Sequence, residues 1–426
     1  MKINKQVFIF GFAIFAAFFG AGNLILPPQL GFNAGPDWWL VALGFLTSAV
    51  IIPLLALFAH AKLQGTMLDF GNKVSPVLSL LFCLCVYIIA VALPCPRTAA
   101  VTYEMAIAPF FEMSSLAASS VYFGLALVFV INRNKVLDIL GKYLTPIIVL
   151  ILIFIIFIGL VYPPSDAING SVIESPLVGG FLEGYQTYDA LAGLLTGGIL
   201  VISVKNLNLD MSFGEKKQMI AKSGFIAMFG LFIIYMGLIA TGAMFNTEFP
   251  ADISRTALLT GLSTKTLGGL GTTSLSVLVA LACFTTAVGI IVGTADFFQG
   301  LLKSKMAYLI TAIICCVLGV LIGQFNVGHI IDVALPALMF IYPLTIILIL
   351  LNVIPVKFAT KLVFRMVVLT TFIFSIPDFL KFLIPVENLQ FLIDTIPFSN
   401  NSLGWVLPAL IIFVLTNIVE KLMIKR

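Results

Sequence analysis

The stretch Phe18-Phe19-Gly20-Ala21-Gly22-Asn23-Leu24-Ile25-Leu26-Pro27-Pro28 places two glycines, an asparagine and two prolines inside an apolar run. Glycine and proline both disfavour a continuous helix, and proline also removes a backbone donor. Carbonyls freed by such a break can coordinate a cation, and freed N–H groups can hold a carboxylate. The plainer alternative is a kink packed against neighbouring helices, with Gly20 and Gly22 allowing close approach. A second cluster, Phe181-Leu182-Glu183-Gly184-Tyr185-Gln186-Thr187-Tyr188-Asp189-Ala190, brings two carboxylates and a glycine into another apolar run. A charged carboxylate at the centre of a membrane costs ~2.5–3.5 kcal/mol on insertion scales, so it usually faces a polar interior. The competing reading makes this segment a wet outer mouth, which bears most on Glu183. A third cluster, Ala282-Cys283-Phe284-Thr285-Thr286-Ala287, offers adjacent hydroxyls, hard oxygen donors suited to a small alkali cation. A membrane threonine also commonly bonds the carbonyl of its own helix four residues back.

Other chemistries find little support. The six cysteines (Cys83, Cys85, Cys95, Cys283, Cys315, Cys316) all lie in apolar runs, without disulfide-framework or zinc spacing. The two histidines, His60 and His329, have no ligand-type neighbours at metal spacing. Gly20-Ala21-Gly22 is not a dinucleotide fingerprint, because position 25 is isoleucine and no strand precedes it. No phosphate loop or nucleophile elbow is present, so the chain reads as no enzyme. Arg97 follows Pro94-Cys95-Pro96, and Glu104 lies two helical turns further along the same face. That spacing favours a neutralising structural pair near the outer end of the span. Asp296 and Asp332 read as interfacial groups, and Gly193 and Gly197, at GxxxG spacing, as packing contacts.

The elements that carry these residues are membrane helices. Of 426 residues, 61% are apolar and 10% are charged, whereas a soluble domain carries about 25% charged residues. Such a chain cannot cover a water-facing surface. Apolar runs lie at about 6–33, 38–61, 76–108, 115–131, 141–161, 181–204, 221–245, 271–301, 306–324, 329–354, 360–384 and 402–423, predicting twelve spans. The first run is read as a retained span and not as a signal peptide. With the N-terminus inside, 19 of the 23 basic residues fall on the cytoplasmic side, among them Lys62, Lys73, Arg133, Lys135, Lys205, Arg365, Lys425 and Arg426. Arg97, Arg255, Lys265 and Lys381 are left elsewhere. Both termini are therefore expected in the cytoplasm. No soluble domain is separable, so residues 1–426 form one transmembrane domain. The interrupted spans, 1 and 6, are five apart, as two five-helix units of inverted topology require. The units would cover about 6–161 and 181–354, with extra helices over about 360–423.

The run Phe19 to Pro28, with Gly31 and Ala34-Gly35 beyond, resembles the opening of the bacterial branched-chain amino acid:cation symporters, the BrnQ/LIVCS family. Gly184-Tyr185-Gln186-Thr187-Tyr188-Asp189-Ala190-Leu191-Ala192 is similar to that family's span 6 motif, with tyrosine at 188 where methionine is expected. The resemblance spans essentially the whole chain. It implies an all-α, LeuT-like fold of the amino acid–polyamine–organocation superfamily, in the bacterial inner membrane. It implies uptake of leucine, isoleucine and valine coupled to sodium, with a proton as the alternative ion and no cofactor. The partners implied are the amino acid and membrane lipid, with no nucleic acid. By the same analogy the substrate site comprises Gly20, Ala21, Gly22, Asn23, Tyr185, Gln186, Thr187 and Tyr188, with the amides of Ala21 and Gly22 on the carboxylate. Sodium would lie among Ala16, Phe19, Ala282, Thr285 and Thr286. A carrier of another small solute on the same fold, or an ion channel, is the competing function.

Overall fold

A computed structural model describes residues 2–132, 136–164, 168–205 and 211–424, with side chains 2–4, 136–144 and 424 left aside. Of the basic residues used to orient the chain, Arg133, Lys135, Lys425 and Arg426 lie outside the described residues. The first helical elements are α1 (Lys2–Phe18), α2 (Ala21–Ala34), α3 (Trp38–Leu46), α4 (Ile52–Leu63) and α5 (Leu68–Gly71). They continue with α6 (Pro76–Ala92), α7 (Pro94–Thr102), α8 (Ser115–Asn132), α9 (Val136–Val161), α10 (Pro176–Glu183) and α11 (Asp189–Lys205). The remainder are α12 (Phe213–Met244), α13 (Arg255–Leu302), α14 (Lys305–Gly323), α15 (Val327–Val353), α16 (Lys361–Leu380), α17 (Gln390–Thr395) and α18 (Val406–Ile424). No strand occurs among the described residues.

Among the described residues nine helices are long and apolar enough to cross a membrane, or ten if the pair Pro176–Thr187 and Asp189–Lys205, bent by 44°, is one span. The shortfall from twelve has local causes. The first apolar run divides at residues 19–20, leaving a short α1 before the break. From Ala21 to Leu63 the chain stays helical through a 3-10 turn at Gly35–Asp37 and a π turn at Thr47–Ile51, so two apolar runs merge. The apolar part of α9 over Thr145–Val161 is itself short. The stretch 246–270, between the apolar runs at 221–245 and 271–301, is partly helical, because Ser254 caps α13 by accepting from the Ala257 amide at 3.3 Å. Gly268, at φ 72°, then interrupts α13 inside its helical run.

Four of the basic residues expected inside do gather at one end of the bundle. Lys62 Nζ donates to the carbonyls of Asn352, Val353 and Ile354 at 2.9, 3.3 and 2.5 Å, closing the C-terminus of α15. Lys205 Nζ donates to Gln64 O at 2.8 Å and Arg365 Nε to Val74 O at 3.1 Å, while Lys73 stands over the Phe364 ring. Away from the packed faces, α12 presents Phe225, Phe229, Phe232 and Ile233 outward, and α18 presents Leu410, Leu415 and Ile418. Lipid is the solvent that such faces require.

The half-helix α2 is held by α12 through reciprocal glycines. A Cβ on Gly31 would overlap Ile239 O and lie 2.9 Å from Ile239 Cα; one on Gly242 would overlap Pro28 O and lie 3.0 Å from Pro28 Cα. The backbones meet because neither position has a side chain. The Gly193 and Gly197 stripe packs on α4 as expected, with Gly197 against the buried His60 ring. Gly242→Leu is expected to cost about 1–3 kcal/mol by overpacking. The thermal midpoint of the detergent-solubilised protein should fall, while Gly124→Leu, whose added carbon meets nothing within 4 Å, should leave it unchanged.

Candidate functional site

The helix breaks at Phe19–Gly20 and Gly184–Tyr188 face each other in the buried centre of the bundle. After the first break, Asn23 bends back and its Oδ1 accepts the Gly20 amide at 3.2 Å, satisfying one N–H at the start of α2. Its Nδ2 crosses to the second break and donates to Asp189 Oδ1 and Oδ2 at 2.9 and 3.0 Å, and also to the Tyr235 hydroxyl. Tyr235, on α12, donates in turn to Asp189 Oδ2 at 2.8 Å. Asp189 is 1% exposed and opens α11, so its carboxylate is held at one helix N-terminus while bonded to the first turn of another.

The second break is a 3-10 turn over Gly184–Thr187, followed by Tyr188 in the left-handed region at φ 63°. Thr187 Oγ1 donates to Gly184 O at 2.8 Å and accepts the Asp189 amide at 3.2 Å, so its hydroxyl shapes the turn. Tyr185 stacks on Tyr342 with ring centroids 4.2 Å apart. Gln186 is 0% exposed, and neither its Nε2 nor its Oε1 has a partner among the described residues.

Between the breaks stands Arg97. The chain turns at Leu93, before Pro94, and α7 then carries Arg97 into the centre, 3% exposed. Its Nη1 donates to Gln186 O at 2.8 Å, and its guanidinium lies 5.1 Å from the centroid of the Tyr188 ring. A Cβ on Gly22 would overlap Nη2 and lie 2.9 Å from Cζ, so only glycine admits the guanidinium beside the start of α2. On the other side of the break, a Cβ on Gly20 would lie 3.7 Å from Thr286 Oγ1 on α13. Thr285 and Thr286 both donate to Ala282 O at 2.9 Å, the intrahelical bond open to any membrane threonine. Each hydroxyl oxygen keeps lone pairs free to accept or to coordinate. Phe19 is buried at the break and donates its amide to Phe15 O at 3.0 Å, while Ala16 is half-buried one turn earlier.

A sequence model of the family described as "Branched-chain amino acid transport protein" matches residues 3–423. The chain belongs to this family. It is 34% identical over 420 residues to the branched-chain amino acid permease BraB of Bacillus subtilis, covering 96% of this chain and 94% of that one. It is 32% identical over 424 residues to the branched-chain amino acid transport system 2 carrier protein of Pseudomonas aeruginosa, covering 97% and 96%. In fold it is similar to the inward-facing Mhp1 structure, with a TM-score of 0.63 at 12% identity over 97% of this chain and 89% of that one. It is also similar to MhsT in complex with L-phenylalanine, with a TM-score of 0.55 at 16% identity over 95% and 97%. The family and the LeuT-like fold implied by the two motifs both stand. These are transport proteins, not enzymes.

Within this branched-chain transport family member, the structure brings Gly22 against Gln186 O and Asn23 against Asp189, links Tyr188 to this centre through Arg97, and sets Thr286 beside Gly20. One sequence reading is corrected. Arg97 does not pair with Glu104: Glu104 accepts from Thr256 Oγ1 at 2.5 Å and from the Val327 amide at 2.8 Å. A π turn over Tyr103–Ile107 breaks the face that two regular helical turns would share, and the N-terminus of α15 offers the carboxylate a better donor. Glu183 lies at a partly wet end of its segment, paired with Arg255 at 3.1 Å. Asp332 and Asp296 are exposed. Tyr235 carried no signal at all, being one polar atom in an ordinary apolar run. Asn23→Asp would set a carboxylate against Asp189 and is expected to cost on the order of 2 kcal/mol through lost donors. Adding Asp189→Asn should restore the amide–carboxylate bond with its partners exchanged, so the double variant should recover most of the lost thermal stability.

Proposed function

We propose that the chain imports leucine, isoleucine and valine across the bacterial inner membrane by sodium-coupled alternating access, with both termini cytoplasmic. The observation that carries the reading is the pair of facing helix breaks, with buried polar groups of α2, α7 and α11 converging between them. Non-helical backbone at membrane depth persists only where it lines a cavity or is buried in protein, and broken helices that meet at the midplane are how carriers build solute sites. In this reading α1 with α2, and α10 with α11, are single broken spans. They open two inverted repeats over about 6–161 and 181–354.

Sodium would lie among the carbonyls of Ala16, Phe19 and Ala282 and the hydroxyls of Thr285 and Thr286. It would fix the end of α1 and so complete the amino acid site at Gly20, Ala21, Gly22, Asn23, Tyr185, Gln186, Thr187 and Tyr188. The position of Thr286 beside the break supports this. An apolar pocket discriminates one methylene by only ~1–3 kcal/mol, so the three branched substrates should compete. One charge crossing 100 mV supplies ~2.3 kcal/mol. At ~1.4 kcal/mol per tenfold, that alone sustains accumulation of roughly fiftyfold.

A proton as coupling ion has its own support. Asp189 is a buried carboxylate with neutral partners, Asn23 and Tyr235, in the network that joins both breaks. Proton binding there would remove the charge and turn one accepting oxygen into a donor, weakening the bonds that hold α2 and α11 together. Radiolabelled leucine uptake into proteoliposomes separates the two ions. An inward sodium gradient should drive accumulation over a choline control at equal pH, and Thr286→Ala should shift the sodium titration about tenfold or more without changing which substrates compete. If a proton gradient drives uptake in place of sodium, Asp189→Asn should abolish driven uptake and spare leucine counterflow. Absence of leucine uptake under either gradient would refute the substrate assignment.

A further inference from the structure

We propose that Arg97 is the carboxylate ligand of the transported amino acid, gripping it beside the amides of Ala21 and Gly22. The proposal rests on the reading that the amino acid binds between the helix breaks. Arg97 is almost fully buried, and the one hydrogen bond of its side chain among the described residues is from Nη1 to Gln186 O. Its Nε has no partner, and it forms no ion pair with any described carboxylate. Charged side chains within membrane proteins pair with one another or face a substrate path, because an isolated buried charge is costly. Here the guanidinium has kept most of its donor fork free.

The electrostatics around it call for an anion. The guanidinium stands at Gly22, in the first turn of α2, where the helix end already carries partial positive charge. The start of α11 lies on the other side, reached through Gln186 and Tyr188. Against these stands the carboxylate of Asp189, whose oxygens are taken by Asn23 and Tyr235. A second carboxylate would complete the set. An α-carboxylate matches the planar fork of arginine, which accepts two oxygens side by side, and the start of a helix supplies further N–H donors. The Gln186 side chain, whose backbone oxygen holds Arg97, is buried with its amide unpartnered among the described residues, and its Oε1 is an acceptor of the kind the ammonium needs. Lysine at 97 would provide charge without the fork.

Leucine and leucinamide, which lacks the carboxylate charge, test this with purified protein in a direct binding assay. Wild type should bind leucine and reject leucinamide. Arg97→Gln should weaken leucine on the order of a hundredfold, leave the remaining leucinamide binding little changed and so erase the discrimination. Arg97→Lys should fall between them. Gly22→Ala, which displaces the guanidinium without altering its charge, gives a second route if Arg97→Gln does not fold: leucine affinity should drop while the preference for leucine narrows. Retention of wild-type discrimination in a folded Arg97→Gln protein would overturn the proposal and leave the import reading intact. Failure of wild type to bind leucine would overturn both.

Discussion

A peptide group without a partner in hydrocarbon costs several kcal/mol, and this chain interrupts its helices twice at the centre of the bundle. What makes the interruptions tolerable is the bonding of Asn23. Its oxygen takes the Gly20 amide at one break, and its nitrogen bridges to Asp189, the first residue after the other. Tyr235 closes the set from α12. Three elements distant in sequence are thereby fixed by one side-chain amide and one carboxylate. The rest of the site follows from that constraint. With α2 and α11 meeting at their N-termini, the space between them is electropositive and rich in N–H donors. The glycines exclude side chains from that space, and α7 delivers Arg97 into it.

The close packing around the network determines what can move together. Gly31 and Gly242 bring α2 and α12 into backbone contact, and Gly44 and Gly180 do the same for α3 and α10. A shift of α2 must therefore carry α12, and Tyr235 with it. By contrast α13, which bears Thr285 and Thr286, leaves room at Gly20 for a carbon that would only just touch Thr286. A cation placed at that junction would tie α13 to the broken helix by ligation, a link that can be made and released. The packed glycine contacts have no such freedom. This division between permanent contact and ion-dependent contact is the mechanical content of the coupling proposed above.

The sequence disclosed the parts of this arrangement that depend on local chemistry. Gly20, Gly22, Pro27 and Pro28 mark a break because their backbone preferences are intrinsic, and the polar density from Glu183 to Asp189 marks the second for the same reason. Within that second cluster the two carboxylates part company. Glu183 meets Arg255 at a partly wet edge, whereas Asp189 is fully enclosed. No spacing rule separates residues so near in sequence; the left-handed turn at Tyr188 does. Arg97 was legible as an anomaly but not in its direction. The regular helical face toward Glu104 is lost to the π turn over Tyr103–Ile107, which residue spacing alone does not announce. Tyr235 could be found only in three dimensions.

The threonines show the limit of motif reading from the other side. Thr285 and Thr286 bond Ala282 O, as threonines in any apolar helix tend to do. That bond does not count against cation binding, because it orients both hydroxyl oxygens around one carbonyl and leaves their lone pairs free. Three oxygens are thereby gathered on one turn of α13, and Thr286 is turned toward Gly20. A threonine pair on an ordinary lipid-facing helix would make the same internal bonds and face nothing. What distinguishes this pair is its neighbour across the gap, a helix end whose carbonyls after Phe15 O lose their usual donors, the Gly20 amide being turned to Asn23. The cation chemistry proposed here would belong to the junction of the two elements and to neither alone, and a broken helix is what supplies such a junction.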